Sequence, residues 1–205
     1  MKYVDFKSKM SNMVVFNKAD IHIFAPDFDL NLLSDWQKKQ YIRKVRRGYY
    51  IFADLELSNH LLSHIANQIY RPSYISFELA LSQYGLIPET ITNQTSATSR
   101  RTIDFYTPIG AFIYRHLKPS LIFGYRVDTL ANVKVKIAKI EKAVLDFFYL
   151  RPDLKTKQDL DDLRFDYEYF IEQADLELLY QYLAKFNNKA LEKRIDNIIR
   201  SAQDA

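Results

Sequence analysis

The sequence predicts an α+β protein. Residues 1–56 read as a winged helix-turn-helix, and residues 57–205 as a mixed domain: a mostly antiparallel sheet packed on helices, with a helical C-terminus. Three observations carry this. A basic stretch, Gln37 to Tyr50, follows a short helical pattern and has apolar residues on both sides of Gly48. From Ile91 to Ile137 the period changes from helical to alternating, which is the signature of strands. Beyond Pro152 helical spacing returns, now in an acidic background.

The elements follow in order. Tyr3 to Met13 can form a helix with Val4, Met10 and Met13 in partial apolar spacing, and Val14 to Phe16 a short strand. Asn17 is suited to cap a second helix, with Asp20 at the third helical position, where an acid helps. Pro26 stops that helix, and Asp27 or Asp29 can cap a third, running to about Gln40 with Leu30, Leu33, Trp36 and Leu32 turned inward. The stretch QKKQYIRKVRRGYY comes next, with six basic residues and no acid. Gly48 can supply the positive φ that a short hairpin loop needs. Helix, strand, helix, turn, helix and hairpin is the winged-helix order, in which the third helix enters the major groove and the wing touches the backbone. Asn31, Ser34, Gln37 and Lys38 would be exposed on that helix: Asn and Gln can pair with adenine, and Lys can contact phosphate or guanine. Two alternatives stand beside DNA. The hairpin can be a solvated edge that uses lysine against stray pairing, or the groove can meet a protein partner.

Asp54 to Ser58 reads as a linker. Leu61, Leu62, Ile65, Ala66 and Ile69 then repeat with helical spacing behind Ser58 or Asn59 as cap. SYISFELALSQYGLIP, Ser73 to Pro88, reads as one further helical segment with Ser76 as N-cap and Gly85 as its stop. Alternating segments follow around Ile103, Phe112, Leu121 and Val133, with turns at Pro108, Pro119 and Asn132. Ala138 to Leu150 is helical with Ile140, Val144, Phe147 and Phe148 inward. In the acidic tail, Leu176, Leu179, Tyr180 and Leu183 form one stripe, and Leu191, Ile195, Ile198 and Ile199 another, separated by Asn187-Asn188.

The totals narrow the function classes. At 205 residues and 48% hydrophobic content, a packed core is within reach. The absence of cysteine removes disulfide scaffolds, thiol catalysis and cysteine-ligated zinc. Four glycines argue against glycine-rich phosphate loops. No apolar run approaches a membrane span, and MKYVDFKSKM has neither the apolar run nor the charge pattern of a signal peptide, so a soluble cytoplasmic protein is expected. The charge is uneven. Residues 1–57 carry ten Lys/Arg against seven Asp/Glu, residues 58–150 ten against six, and residues 151–205 nine against twelve. The first two segments favour a polyanion and the last repels one.

Catalytic patterns find no foothold. His60 and His64 have the spacing of a helical metal pair, but Leu61 stands where a zinc protease has its glutamate. Asp159, Asp161 and Asp162 lie in a polar run where solvation is the plain reading. Glu141 and Asp146, five apart on one helix, face different ways and cannot form a simple acid–base pair. No metal, no cofactor and no enzymatic activity is expected.

The segments IRKVRRGYYIF, HIANQIYRPSYISFELALSQYGLIPE, IFGYRV and IAKIEKAVLDFFYL together resemble the AbiEi-type antitoxins of abortive-infection (type IV) toxin–antitoxin systems, from about Phe16 to Leu150. The resemblance implies a DNA-binding transcriptional autorepressor whose winged helix binds inverted repeats in its own promoter. It also implies a C-terminal antitoxin domain, active in phage defence, that counteracts a nucleotidyltransferase-like toxin directly or through a shared target, and it implies that the chain is not an enzyme. Arg43, Lys44, Arg46 and Arg47 match the family's basic hairpin, and Arg100 and Arg101 extend that DNA surface. Glu141, Lys142 and Asp146 match conspicuous polar positions of a helix, with a role in structure or in partner contact. The first helix and the acidic C-terminal helices depart from the family pattern.

Overall fold

The computed structural model describes residues 1–154 and 157–203. Its first part is built from α1 (Tyr3–Lys9), β1 (Phe16–Asn17), α2 (Lys18–Phe24), α3 (Leu32–Lys38), β2 (Ile42–Arg46) and β3 (Tyr49–Phe52). Local chemistry sets the start of α2 as the sequence predicts. Asn17 Oδ1 accepts from the Ala19 and Asp20 amides at 2.7 and 3.2 Å, and the Asp20 carboxylate accepts from the Asn17 amide at 2.8 Å. Gly48 turns the hairpin at φ +84°, and the register shifts between Lys44 and Arg46, leaving Val45 in a bulge.

The three strands form an antiparallel sheet in the order β1-β3-β2. Phe16, Ile42, Tyr50 and Phe52 pack with Phe6, Met10, Ile21, Phe28, Leu33 and Trp36 of the helical layer. The Trp36 ring lies 5.0 Å from Phe6 and 5.1 Å from Phe28, so aromatic contacts anchor α3. Val15, Val45 and Ile51 instead enter the core of the rest of the chain. The small sheet is therefore covered from both sides.

Two expected inward residues are outside. Val4 is 74% exposed, because α1 turns Phe6 and Met10, four apart, to the core. Leu30 is 41% exposed, because Asp29 Oδ1 takes the Asn31 amide in a tight turn and delays the start of α3 to Leu32.

The second part contains α4 (Asn59–Ile69), β4 (Ser73–Ile75), α5 (Phe77–Gln83), β5 (Gln94–Thr98), β6 (Ile103–Thr107), β7 (Gly110–His116), β8 (Tyr125–Leu130), β9 (Val133–Ala138) and α6 (Ile140–Leu150). Its six strands run in the order β6-β7-β5-β4-β9-β8. The sheet is mixed: β5 with β7 and β4 with β9 are parallel, and the other three pairings are antiparallel. Helices lie on both faces. Tyr114 donates to the Ala66 carbonyl of α4 at 2.7 Å, whereas Tyr74, of opposite parity in the register, donates to Asp146 of α6 at 2.7 Å.

The segment Ser73 to Pro88, expected as one helical stretch, begins instead with β4 at the centre of this sheet. Three residues are too short to show a period, and cross-strand hydrogen bonds to β5 and β9 decide the matter. The serine- and threonine-rich β5 is buried along its whole length, and its polar groups serve as internal partners. Thr95 Oγ1 donates to the Ser76 carbonyl at 2.7 Å and accepts from the Leu79 amide at 3.0 Å, so it caps α5 from another element.

The C-terminus is helical: α7 (Lys157–Asp162), α8 (Tyr167–Gln173), α9 (Leu176–Phe186) and α10 (Lys189–Gln203). Leu179, Leu183, Leu191, Ile195, Ile198 and Ile199 are buried, as their spacing predicts. Tyr180 stays outside at 45% exposure, with its hydroxyl on Asp196. Asn187, at φ +45°, ends α9 in the left-handed conformation.

Candidate nucleic-acid interface

The residues expected to face DNA fall into three groups. Asn31, Ser34 and Lys38 are exposed, and their spacing of three and four puts them on one face at α3. Gln37 is half-buried, and its amide already donates to the Leu33 carbonyl at 2.9 Å. With Gln40, Arg43, Lys44 and Pro108 it lines a groove of about 670 Å³ beside the hairpin. Within the hairpin, Lys44 and Arg47 are exposed. Arg43 is half-buried and donates to the Leu55 carbonyl at 3.0 Å, which ties β2 to the segment after β3.

Arg46 behaves differently. It leaves the hairpin toward the large sheet, where its guanidinium carbon lies 4.6 Å from the Phe105 ring centre, 5.1 Å from Tyr49 and 5.9 Å from Tyr70. Arg100, two residues beyond β5, has its guanidinium carbon 4.4 Å from the Tyr70 ring centre. Arg46, Tyr70, Arg100, Arg101, Ile103 and Phe105 line one cleft of about 600 Å³ at the seam between the two sheets. Three of the expected cations thus converge although more than fifty positions separate Arg46 from Arg100. Sequence reasoning named the arginines but not Tyr49, Tyr70 and Phe105, the aromatic side chains that hold them. Alternation of Ile103 and Phe105 with Asp104 was the available signal, and it shows a face without showing what lies against it.

Of the two roles expected for the polar positions of α6, structure or partner contact, their burial favours structure. Lys142 and Asp146 are fully buried and form an ion pair, and Glu141 is 5% exposed. Asp146 Oδ2 also accepts from Tyr74 at 2.7 Å and Ser76 at 2.9 Å, while Lys142 donates to the Tyr74 hydroxyl at 2.9 Å. Burial pushes the Asp146 carboxyl up and the Lys142 ammonium down, and each partner's charge opposes that shift. The Tyr74 hydroxyl is raised well above its ordinary value, by burial first and the Asp146 charge second. Glu141 Oε1 accepts from the Asp175 amide at 2.9 Å, at the start of α9. These side chains reach other parts of the same chain and leave nothing at the surface for a partner.

The histidine pair is likewise committed. His60 Nε2 lies 2.9 Å from the Val133 carbonyl and His64 Nδ1 2.8 Å from that of Lys134, so α4 is clipped to β9 through ring N–H donors. Burial holds the His64 ring below its ordinary pKa. Among the described residues no group of three or more His, Asp and Glu is placed to hold a metal, and no helix is long and apolar enough to cross a membrane.

Comparison with known proteins locates the fold alone. No family model and no curated protein matches the chain. Among solved structures it is similar to the RV2827C protein from Mycobacterium tuberculosis, with a TM-score of 0.64 at 13% identity, over 97% of this chain and 77% of that one.

Proposed function

We propose that the chain is a duplex-DNA-binding autorepressor whose first part acts as a winged helix-turn-helix. The observation that carries this reading is the run of cations from the exposed face at α3, through Lys44 and Arg47 on the hairpin, to Arg46, Arg100 and Arg101 at the seam. A polyanion of regular charge spacing meets such a run with many contacts and releases counterions in proportion. In this reading α3 lies in the major groove with Asn31, Ser34 and Lys38 toward the bases, and the hairpin lies on the backbone. With the sequence resemblance to AbiEi-type antitoxins, the same reading makes the chain a cytoplasmic antitoxin that binds inverted repeats in its own promoter and counteracts a nucleotidyltransferase-like toxin.

The test is binding to the DNA upstream of its own gene as salt is varied. Lys44→Ala and Arg47→Ala should each lower the slope of log affinity against log salt by about one unit. Both sites are exposed, so folding stability should stay within about 0.5 kcal/mol of the wild type. Binding that is absent at every salt concentration ends the repressor reading. Co-purification with a neighbour-encoded protein, undisturbed by added DNA, would then favour a winged-helix protein-interaction module.

A further inference from the structure

We infer that the cleft at the seam is a phosphate-binding site and that its ligand is a nucleotide, either free or within a DNA strand. In its DNA form the inference rests on the reading above; in its free form it does not.

The first ground is charge. Arg46, Arg100 and Arg101 line the cleft, and among the described residues no carboxylate lines it with them. Five other cations have a carboxylate partner: Lys142 with Asp146, Arg115 with Asp104, Arg126 with Asp128, Arg151 with Asp153 and Lys7 with Asp54. Three guanidinium groups without an internal anion are an arrangement completed from outside.

The second ground is an unmade hydrogen bond. Arg46 Nη1 has no acceptor among the described residues, a state it shares with Arg43 Nε and Arg194 Nε, and a ligand reaches it once the Arg46 side chain shifts toward the cleft. A buried donor without a partner is costly, and a phosphate oxygen is the acceptor that matches a guanidinium best. Among the described residues the Arg100 guanidinium makes one long hydrogen bond, 3.5 Å, to the Arg71 carbonyl.

The third ground is the wall. Tyr70, Phe105 and Ile103 give the cleft an apolar side, with Tyr70 and Phe105 carrying the guanidinium groups of Arg100 and Arg46 against their rings. Stacking holds a guanidinium in place while its N–H edges stay free for oxygen acceptors, and the same planes stack with bases. The cleft is of the size that takes a small ligand, roughly 300–1,000 Å³. Phosphate on the arginines with sugar and base along the apolar wall is the chemistry that uses every part of it.

The experiment uses the full chain with ATP, inorganic pyrophosphate and a duplex from upstream of its own gene, without added metal. The variants are Arg100→Ala with Arg101→Ala at the cleft, Arg46→Lys to keep the charge but lose the planar stack, and Lys44→Ala with Arg47→Ala on the hairpin as control. Saturable binding of ATP or pyrophosphate, weakened about tenfold or more by the cleft double variant and by Arg46→Lys but not by the control, supports a free-nucleotide source. Indifference to both small probes, with a duplex salt slope that falls by about two units in the cleft double variant, supports the DNA source. If the cleft double variant binds all three probes as the wild type does, the inference is overturned, while the DNA reading survives as long as the hairpin control still weakens the duplex. If the wild type binds the duplex but the cleft is silent, only the inference falls; if it binds ATP and not the duplex, only the repressor reading falls.

Discussion

Two ionic clusters in this molecule have opposite fates. On α6, Lys142 meets Asp146 in a fully buried pair, and hydroxyls from Tyr74 and Ser76 satisfy the carboxylate. At the seam, Arg46, Arg100 and Arg101 share a cleft with aromatic side chains and no acid among its lining. The difference teaches that a polar residue's role follows from where its counter-charge is. The Lys142 ammonium is taken up by Asp146 and Tyr74, whereas no carboxylate lines the cleft of Arg46, Arg100 and Arg101 among the described residues.

The largest effect is expected at the buried cluster. Asp146→Ala should cost about 3–5 kcal/mol, because it leaves a buried ammonium and two hydroxyls without their acceptor. Lys142→Met should cost less in urea unfolding, since the carboxyl keeps its Tyr74 and Ser76 donors and can take a proton. Loss of the lysine removes the charge that lowers the Asp146 pKa, so its folded value rises further above its unfolded one. The folded state then holds a proton that the unfolded state releases, and the variant's stability should fall as pH rises from the ordinary carboxylate value through the raised one. Equal costs for the two substitutions, or a flat pH profile for Lys142→Met, would show that the pair is not the unit described here.

Gly124 tests how tightly that cluster is enclosed. A Cβ there would stand 2.9 Å from Tyr182 Cε2 and 3.0 Å from Lys142 Cγ, at a backbone φ of +70°. Gly124→Ala should cost about 1–3 kcal/mol by thermal unfolding, and a neutral result would mean that Tyr182 and Lys142 move freely. The smallest effect belongs to Glu141, whose carboxylate only receives the Asp175 amide at the start of α9. Glu141→Ala should cost about 1 kcal/mol, and Glu141→Gln, which keeps an acceptor, close to nothing.

Legibility in the sequence tracked how local the cause was. The Asn17 and Asp20 capping box, the Gly48 turn and the apolar stripes of α9 and α10 rest on residues within a few positions of each other, and apart from Tyr180, which lies outside, they appear where the spacing puts them. Strand β4 was not legible, because Ser73–Ile75 is a strand only by virtue of β5 and β9 on its two sides. The parallel pairings are not legible for the same reason: alternation shows that a segment is extended, not which way its neighbour runs. The seam cleft divides along this line. Its arginines stood out as basic residues, but the rings that hold them come from β3, the end of α4 and β6.

The sequence alone was enough for an α+β chain, the basic hairpin near its start, the caps of α2 and α4 and an acidic helical end, because each depends on short-range periodicity, backbone preference or charge. Only the tertiary structure decided that β4 lies at the centre of a mixed sheet, that Lys142 and Asp146 are sealed inside, and that Arg46 turns from the hairpin to join Arg100 and Arg101. Those outcomes depend on residues far apart in the chain, whose meeting no local pattern encodes.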